Sequence, residues 1–271
     1  MTVEKVTGWR KIAGASWRHP RDPQIYGDLE VDATAALDFI AGARDKGHKV
    51  TLTHIVGKAL AVALSEHPDL NVRRVRGKFI RRETVSIFFI VSAEAGRELS
   101  GVKIEDADKK AAVEISAELS RRAGRIRSGE DVEMGRTKKV IGSTPTRLLG
   151  VSMRLAALLT SDFNIHLPQY GLPRQAFGSA MVSSVGMFGI EHAYAPLASY
   201  YRVPFLVLVG EAVPKPVALG ERVEIRPMLN LAATLDHRYL DGFHAARLAR
   251  SVRAYLGDPL AHEPPLTEVI S

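Results

Sequence analysis

Apolar positions recur along the chain with two different periods. Over residues 52–64, Leu52, Ile55, Val56, Ala59, Leu60, Ala63 and Leu64 fall at i, i+3, i+4, i+7, i+8, i+11 and i+12. That spacing is one face of an α-helix, and Pro68 stops it. A shorter helix is predicted from about Ala33 to Lys46, with Asp32 as its N-cap and Gly47 just past its end. Residues 108–127 carry Ala112, Ile115, Leu119, Ala123 and Ile126 on one stripe, with Arg121, Arg122, Arg125 and Arg127 largely off it, as in a long surface helix. Thr144 and Pro145 supply an N-cap and an N1 proline for a helix through about Leu159. Ala245, Leu248, Ala249, Val252 and Leu256 mark a closing helix that ends at Gly257-Asp258-Pro259. Between these lie strands. Residues 85–91 are apolar on both alternating faces and rich in β-branched and aromatic side chains, the pattern of a central strand covered on both sides. Residues 179–185, 205–209 and 229–235 read as three more.

Strands and helices are interspersed with no repeat, low-complexity tract or Pro/Ser-rich linker between them, so residues 1–271 read as one α/β domain. An apolar fraction of 46% is enough for a full core, and the absence of cysteine excludes a thiol nucleophile, a cysteine-ligated metal and any disulfide. No stretch approaches the roughly 20 apolar residues of a membrane span, and the first residues lack the apolar core of a signal peptide; a cytoplasmic protein is expected. The net charge of +7 is partly local. Residues 72–82 hold Arg73, Arg74, Arg76, Lys78, Arg81 and Arg82 without an acid. We read this run as a hairpin turning at Arg76-Gly77-Lys78 with solvated arginines, against the alternatives of a nucleic-acid, lipid or phosphate contact. No nucleic-acid partner is expected.

Dinucleotide, P-loop, nucleophile-elbow and zincin signatures are all missing. What remains is Asp236-His-Arg-Tyr-Leu-Asp-Gly242, between an apolar strand and an amphipathic helix. From spacing alone, His237 is a satisfied core histidine with Asp241 capping the next helix, or a reactive imidazole at an element end. A metal site of His237, Asp241 and His244 would need a continuous helix, against which the preceding strand and Gly242 argue. No metal is expected.

This segment resembles the D-H-R-x-x-D-G motif in the catalytic domain of dihydrolipoyl acyltransferases of 2-oxo acid dehydrogenase complexes, a family that shares its fold with chloramphenicol acetyltransferase. Val182-Ser-Ser-Val-Gly-Met-Phe-Gly189 is similar to the family's I-S-N-L-G-x-x-G block. Lys58-Ala59 through Pro68-Asp-Leu-Asn71, Asp106-Ala-Asp108 and the closing helix to Asp258-Pro259 follow in family order. The resemblance implies a two-layer α/β sandwich with a mixed sheet, assembled as a homotrimer with active sites at subunit interfaces. It also implies a coenzyme A-dependent acyl transfer to a dihydrolipoyl thiol or another small acceptor. His237 would be the general base and Ser183 the oxyanion donor. Asp241 would be structural, paired with an N-terminal arginine, Arg18 or else Arg10. Ser184 and Gly186 would lie near coenzyme A or the thioester, and Gly186 and Gly189 would allow close backbone approach.

Several features differ from the family pattern. Lipoyl and peripheral-subunit-binding domains are not found in this sequence, so an attached lipoyl group is not expected and an acyl carrier would act in trans. Residues 136–176 read as an insertion that covers the substrate entrance, reshapes the acceptor pocket, offers an amphipathic face or simply packs outside. Met181 and Ser184 stand where the family prefers Thr and Asn. The tail beyond Pro259 exceeds the short ending that joins family trimers into cubic cores, so the trimer is the expected assembly. The alternative to an enzyme is a trimeric scaffold or interaction module that keeps the fold without the chemistry.

Overall fold

The computed structural model describes residues 22–93, 98–128, 145–167, 170 and 172–267. In chain order the elements are β1 (Gln24–Asp32), α1 (Thr34–Asp45), α2 (Leu52–Glu66), β2 (Val72–Val75), β3 (Lys78–Arg81), β4 (Ile87–Ala93) and β5 (Glu98–Ile104). They continue as α3 (Ala112–Arg127), α4 (Thr146–Ala157), β6 (Ala180–Ser184), β7 (Phe205–Leu219), β8 (Arg222–Asp236) and α5 (Gly242–Gly257). Six strands form one mixed sheet in the order β1-β8-β7-β6-β4-β5, and β2 and β3 form a separate hairpin. β6 runs parallel to both β4 and β7, and the other pairings are antiparallel.

Alternation along the strands sorts side chains between two faces. Ile87, Phe89, Ala180, Val182, Phe205, Val207 and Leu231 join the main core with α1, α2, α3 and α5. Met181 and Leu206 point the other way, into a smaller cluster with Leu197 and Val203 of the loop that links β6 to β7. Helices therefore cover one face of the sheet, and on the other face a loop packs at the point where β6 begins.

Several boundaries differ from expectation for local reasons. Asp32 ends β1 and accepts the Thr34 N–H at 2.8 Å, leaving Ala33 as the N-cap of α1. The long surface helix begins at Ala112, not 108, where the Glu114 carboxylate accepts the Ala111 N–H at 2.7 Å. Pro145 is the N-cap of α4 and not its first helical residue; Thr144 lies outside the described residues. After Ala157 the helix widens into a π turn over Leu158–Asp162. α4 leaves Leu148, Val151 and Leu155 exposed on one side. Both strands of the β7–β8 hairpin run well past their buried halves, to Leu219 and from Arg222, with a bulge between Val209 and Ala212.

The basic run forms the predicted hairpin, turning at Arg76 (φ 48°) and Gly77 (φ 80°). Its arginines are not uniformly solvated. Arg73 donates to the carbonyls of Ser161 and Asp162, and Arg82 to Gln175 Oε1 and the Arg202 carbonyl. The π turn and the β6–β7 loop present unpaired carbonyls there, and guanidinium forks satisfy them.

Candidate active site

β8 ends at Asp236, whose N–H donates to the Pro204 carbonyl at 2.8 Å. The next N–H, that of His237, donates to the Pro23 carbonyl at 2.8 Å, and the chain then turns back as the Tyr239 N–H reaches the Asp236 carbonyl at 2.8 Å. Arg238 holds the buried Asp236 carboxylate through Nε and Nη2. Asp241 opens α5 as its N-cap, accepting the His244 N–H at 3.2 Å and pairing with His244 Nδ1 at 2.7 Å. The His244 N–H and ring hold the Asp241 carboxyl below its usual range. His237 thus sits on a short turn anchored by a strand on one side and a capped helix on the other, with its side chain exposed.

Since β8 stops at Asp236 and α5 starts at Gly242, His237, Asp241 and His244 share no helical face. Among the described residues no group of three or more His, Cys, Asp or Glu could hold a metal ion. Arg18 and Arg10, the partners expected for Asp241, lie outside the described residues.

Ser183 lies near the end of β6, two positions after Met181, and so projects from the sheet face opposite the helices; Ser184 alternates to the helix side. The Ser183 side chain is half-buried and has no hydrogen-bond partner among the described residues. Beyond it Gly186 passes so close to the β7 bulge that a Cβ there would meet the Gly210 carbonyl oxygen at 2.3 Å. Gly189 follows with φ 74°, and the Glu211 N–H then donates to the Ile190 carbonyl at 2.9 Å. The motif's glycines press this turn onto the bulge and aim the end of β6.

The sheet register separates the two candidate residues. Ser183 is level with Leu208, which faces Ala232, so His237 lies farther along β8 beyond the opposite end of β6. At about 3.3 Å per residue and two strand spacings of about 4.8 Å, their Cα atoms are roughly 19 Å apart. One copy does not bring the imidazole and the hydroxyl together. Exposed apolar side chains follow each of them in the chain, Phe243 after His237 and Met187, Phe188 and Ile190 after Ser183.

Two features around the histidine turn lie beyond what the sequence pattern shows. Asp236 and Arg238 stand in the motif as an acid and an arginine two residues apart around a turn, a spacing suited to the pair they form. The packing of the β2–β3 hairpin on the turn, with the Arg74 N–H donating to the Tyr239 hydroxyl at 3.3 Å and the Phe79 and Tyr239 rings 5.9 Å apart, had no local signal.

Comparison with known proteins places this geometry. The family described as 2-oxoacid dehydrogenases acyltransferase (catalytic domain) matches residues 2–134 and 175–262; the gap contains α4. The dihydrolipoyllysine-residue acetyltransferase component of the acetoin cleaving system of Bacillus subtilis is 26% identical over 263 residues, covering 94% of this chain and 55% of that protein. The chain spans about half the length of the curated relatives it matches. Among solved structures, a probable dihydrolipoamide acetyltransferase from Listeria monocytogenes superimposes with a TM-score of 0.66 at 23% identity, covering 95% of this chain and 94% of that one. A chloramphenicol acetyltransferase reaches 0.50 at 14% identity, covering 92% and 96%. The two-layer fold with its mixed sheet is that of these proteins.

Proposed function

The chain belongs to the family of 2-oxoacid dehydrogenase acyltransferase catalytic domains, and from that premise we propose that it is a coenzyme A-dependent acyltransferase. Its sites form between the copies of a homotrimer, with His237 of one copy opposite Ser183 of the next. The observation that carries this reading is the separation of the two residues: His237 is exposed, Ser183 is half-buried, and neither can meet the other within one chain.

In this reaction His237 takes the proton from the attacking thiol. The thiolate adds to the thioester carbonyl, forming one carbon–sulfur bond and a tetrahedral oxyanion that accepts a hydrogen bond from the Ser183 hydroxyl. Collapse breaks the other carbon–sulfur bond, and the imidazolium returns its proton to the departing thiolate. The turn ties at Asp236 and Asp241 position the imidazole. Gly186 positions the hydroxyl through the bulge contact. The thiols are coenzyme A and a dihydrolipoyl group carried by another protein or a free small acceptor, and the working compartment is the cytoplasm. Among the described residues no helix is long and apolar enough to cross a membrane.

The test is release of free coenzyme A from a panel of acyl thioesters with dihydrolipoamide as acceptor. Turnover in the wild type that His237→Ala abolishes supports the enzyme. Intact trimers that neither react with nor bind coenzyme A support the scaffold instead.

A further inference from the structure

Between α5 and the strands β1, β8 and β7 lies an apolar cavity of about 260 Å³. Small residues line both of its sides: Gly27, level with Ala233, on the sheet, and Ala245, Ala246 and Ala249 on the helix. A Cβ placed on Gly27 would meet nothing nearer than Leu235 Cδ1 at 4.0 Å, so the space is open down to the strand. Asp28 is the one polar residue of the lining among the described residues, and it alternates to the opposite sheet face, where its carboxylate accepts the Tyr194 hydroxyl. No serine, histidine or lysine lines the cavity among the described residues, so a ligand there is held by contact and not transformed. Protein interiors pack at the density of organic crystals, and an apolar hole forfeits dispersion contacts on its walls until hydrocarbon fills it.

Size and rim define the ligand. A dry apolar cavity of about 150 Å³ takes a six-carbon ring, and by the same ratio one of about 260 Å³ has room for roughly ten carbons. The cavity meets solvent at Ala246, which is exposed. Arg250 and Arg253 follow Ala246 and Ala249 by one turn each, and side chains on a helix lean over the turn before their own, toward that opening. Both arginines are exposed, and neither guanidinium has an ion-pair or hydrogen-bond partner among the described residues. An apolar hole with these two cations at its mouth matches a hydrocarbon tail that ends in an anion.

We propose that the space between α5 and the sheet is a binding site for a medium-chain fatty acid, its tail of about ten carbons in the cavity and its carboxylate at Arg250 and Arg253. The site is separate from the acyl-transfer reading and does not depend on it.

The experiment titrates the full chain calorimetrically with hexanoate, octanoate, decanoate, dodecanoate and decan-1-ol, each below its aggregation limit, in wild type, Ala249→Leu and the double variant Arg250→Gln/Arg253→Gln. One site per chain is expected, with affinity rising about fourfold per methylene up to about ten carbons and levelling beyond. Ala249→Leu, which fills the cavity, should weaken decanoate at least tenfold and melt no lower than wild type. The double variant should weaken decanoate about tenfold and leave decan-1-ol unchanged. No saturable binding of decanoate by the wild type, or affinity that Ala249→Leu leaves unaltered, overturns the proposal. So does an Ala249→Leu protein that melts well below wild type or fails to fold, since the room for a tail would then be missing. Equal wild-type affinity for decanoate and decan-1-ol overturns the fatty-acid assignment.

Discussion

Asp236 and Arg238 clasp each other around the residue between them. Arg238 Nε and Nη2 reach the Asp236 carboxylate at 2.9 and 2.5 Å, and the Arg238 N–H adds a backbone bond at 3.0 Å. The carboxylate is buried and the guanidinium half in solvent, so the pair both neutralises a charge inside the fold and bends the chain at His237.

Asp236→Asn keeps the shape and loses the charge. We expect a loss of about 1–2 kcal/mol, discounted for the exposed arginine, and a Tm lower by roughly 2–8 °C for a chain of this size. The acyl-transfer rate should fall more than the stability loss explains, because the turn that aims the imidazole slackens. Thermal unfolding beside kcat at a temperature where both proteins are folded separates the two effects. An unchanged kcat would show that the clasp serves folding alone.

The proposed sites between copies predict complementation. His237→Ala should lower kcat by about a thousandfold or more and Ser183→Ala by about a hundredfold. When the two inactive variants are unfolded together and refolded as mixed trimers, about a quarter of the sites regain both wild-type residues, and activity returns to about that fraction. Two variants that stay inactive when mixed would place both residues in one copy's site.

Gly186→Ala tests the approach of the serine turn to the β7 bulge. A methyl group 2.3 Å from a backbone carbonyl oxygen forces one segment to move, at a cost of about 1–3 kcal/mol. Since Ser183 is three residues away on the strand that this contact ends, the transition-state role proposed for it should weaken: kcat drops while the proton transfer proposed for His237 persists. The pH profile of residual activity should keep the wild-type shape.

His54, in the first turn of α2, gives the fold a pH dependence of its own. Burial pulls its pKa from 6.5 down to about 4, and its Nδ1 accepts the Thr51 N–H at 3.1 Å, which fixes the neutral ring with its proton on Nε2. The unfolded chain takes up a proton below pH 6.5 that the folded chain refuses until about pH 4. Stability is therefore full at neutral pH and declines as the pH falls through that window, by about 3 kcal/mol across all of it. Urea midpoints measured from pH 7.5 to 4.5 should show the slope, and His54→Gln should flatten it.

What the sequence discloses depends on whether the signal is local. α2 shows its stripe because one face packs on the sheet, and the buried halves of β7 and β8 show theirs because both faces are covered. β1 alternates Ile25, Leu29 and Val31 with Tyr26, Asp28 and Glu30, a strand signal that Gly27 in the middle obscured. The outer hairpin arms were hidden by Pro214, Pro216 and Pro227, residues that argue against a central strand and are admissible only where an N–H faces outward. His237 and Ser183 were legible as motif residues. Their separation was not, because it depends on a three-strand register, and the room left between Gly27, Ala233 and Ala249 depends on tertiary packing between segments far apart in the chain.

Those same prolines govern what the hairpin arm can do when chains are crowded. Past Ser184 on one side and Met228 on the other, β7 and β8 have no further strand beside them among the described residues, and the arm exposes Leu219, Val223 and Ile225. Such an edge ordinarily recruits stray strands and seeds precipitation. Pro214 faces Pro227, so this is a pair whose amides would point away from the hairpin, and neither has a hydrogen to offer; the Pro227 carbonyl is already taken by the Ala33 N–H at 2.8 Å. Replacing Pro214 and Pro216 with threonine would restore two outward donors beside that apolar surface, turning a protected border into an adhesive one. Concentrated, heated or freshly synthesised chains would then be lost to aggregation even though the folded structure itself had barely changed.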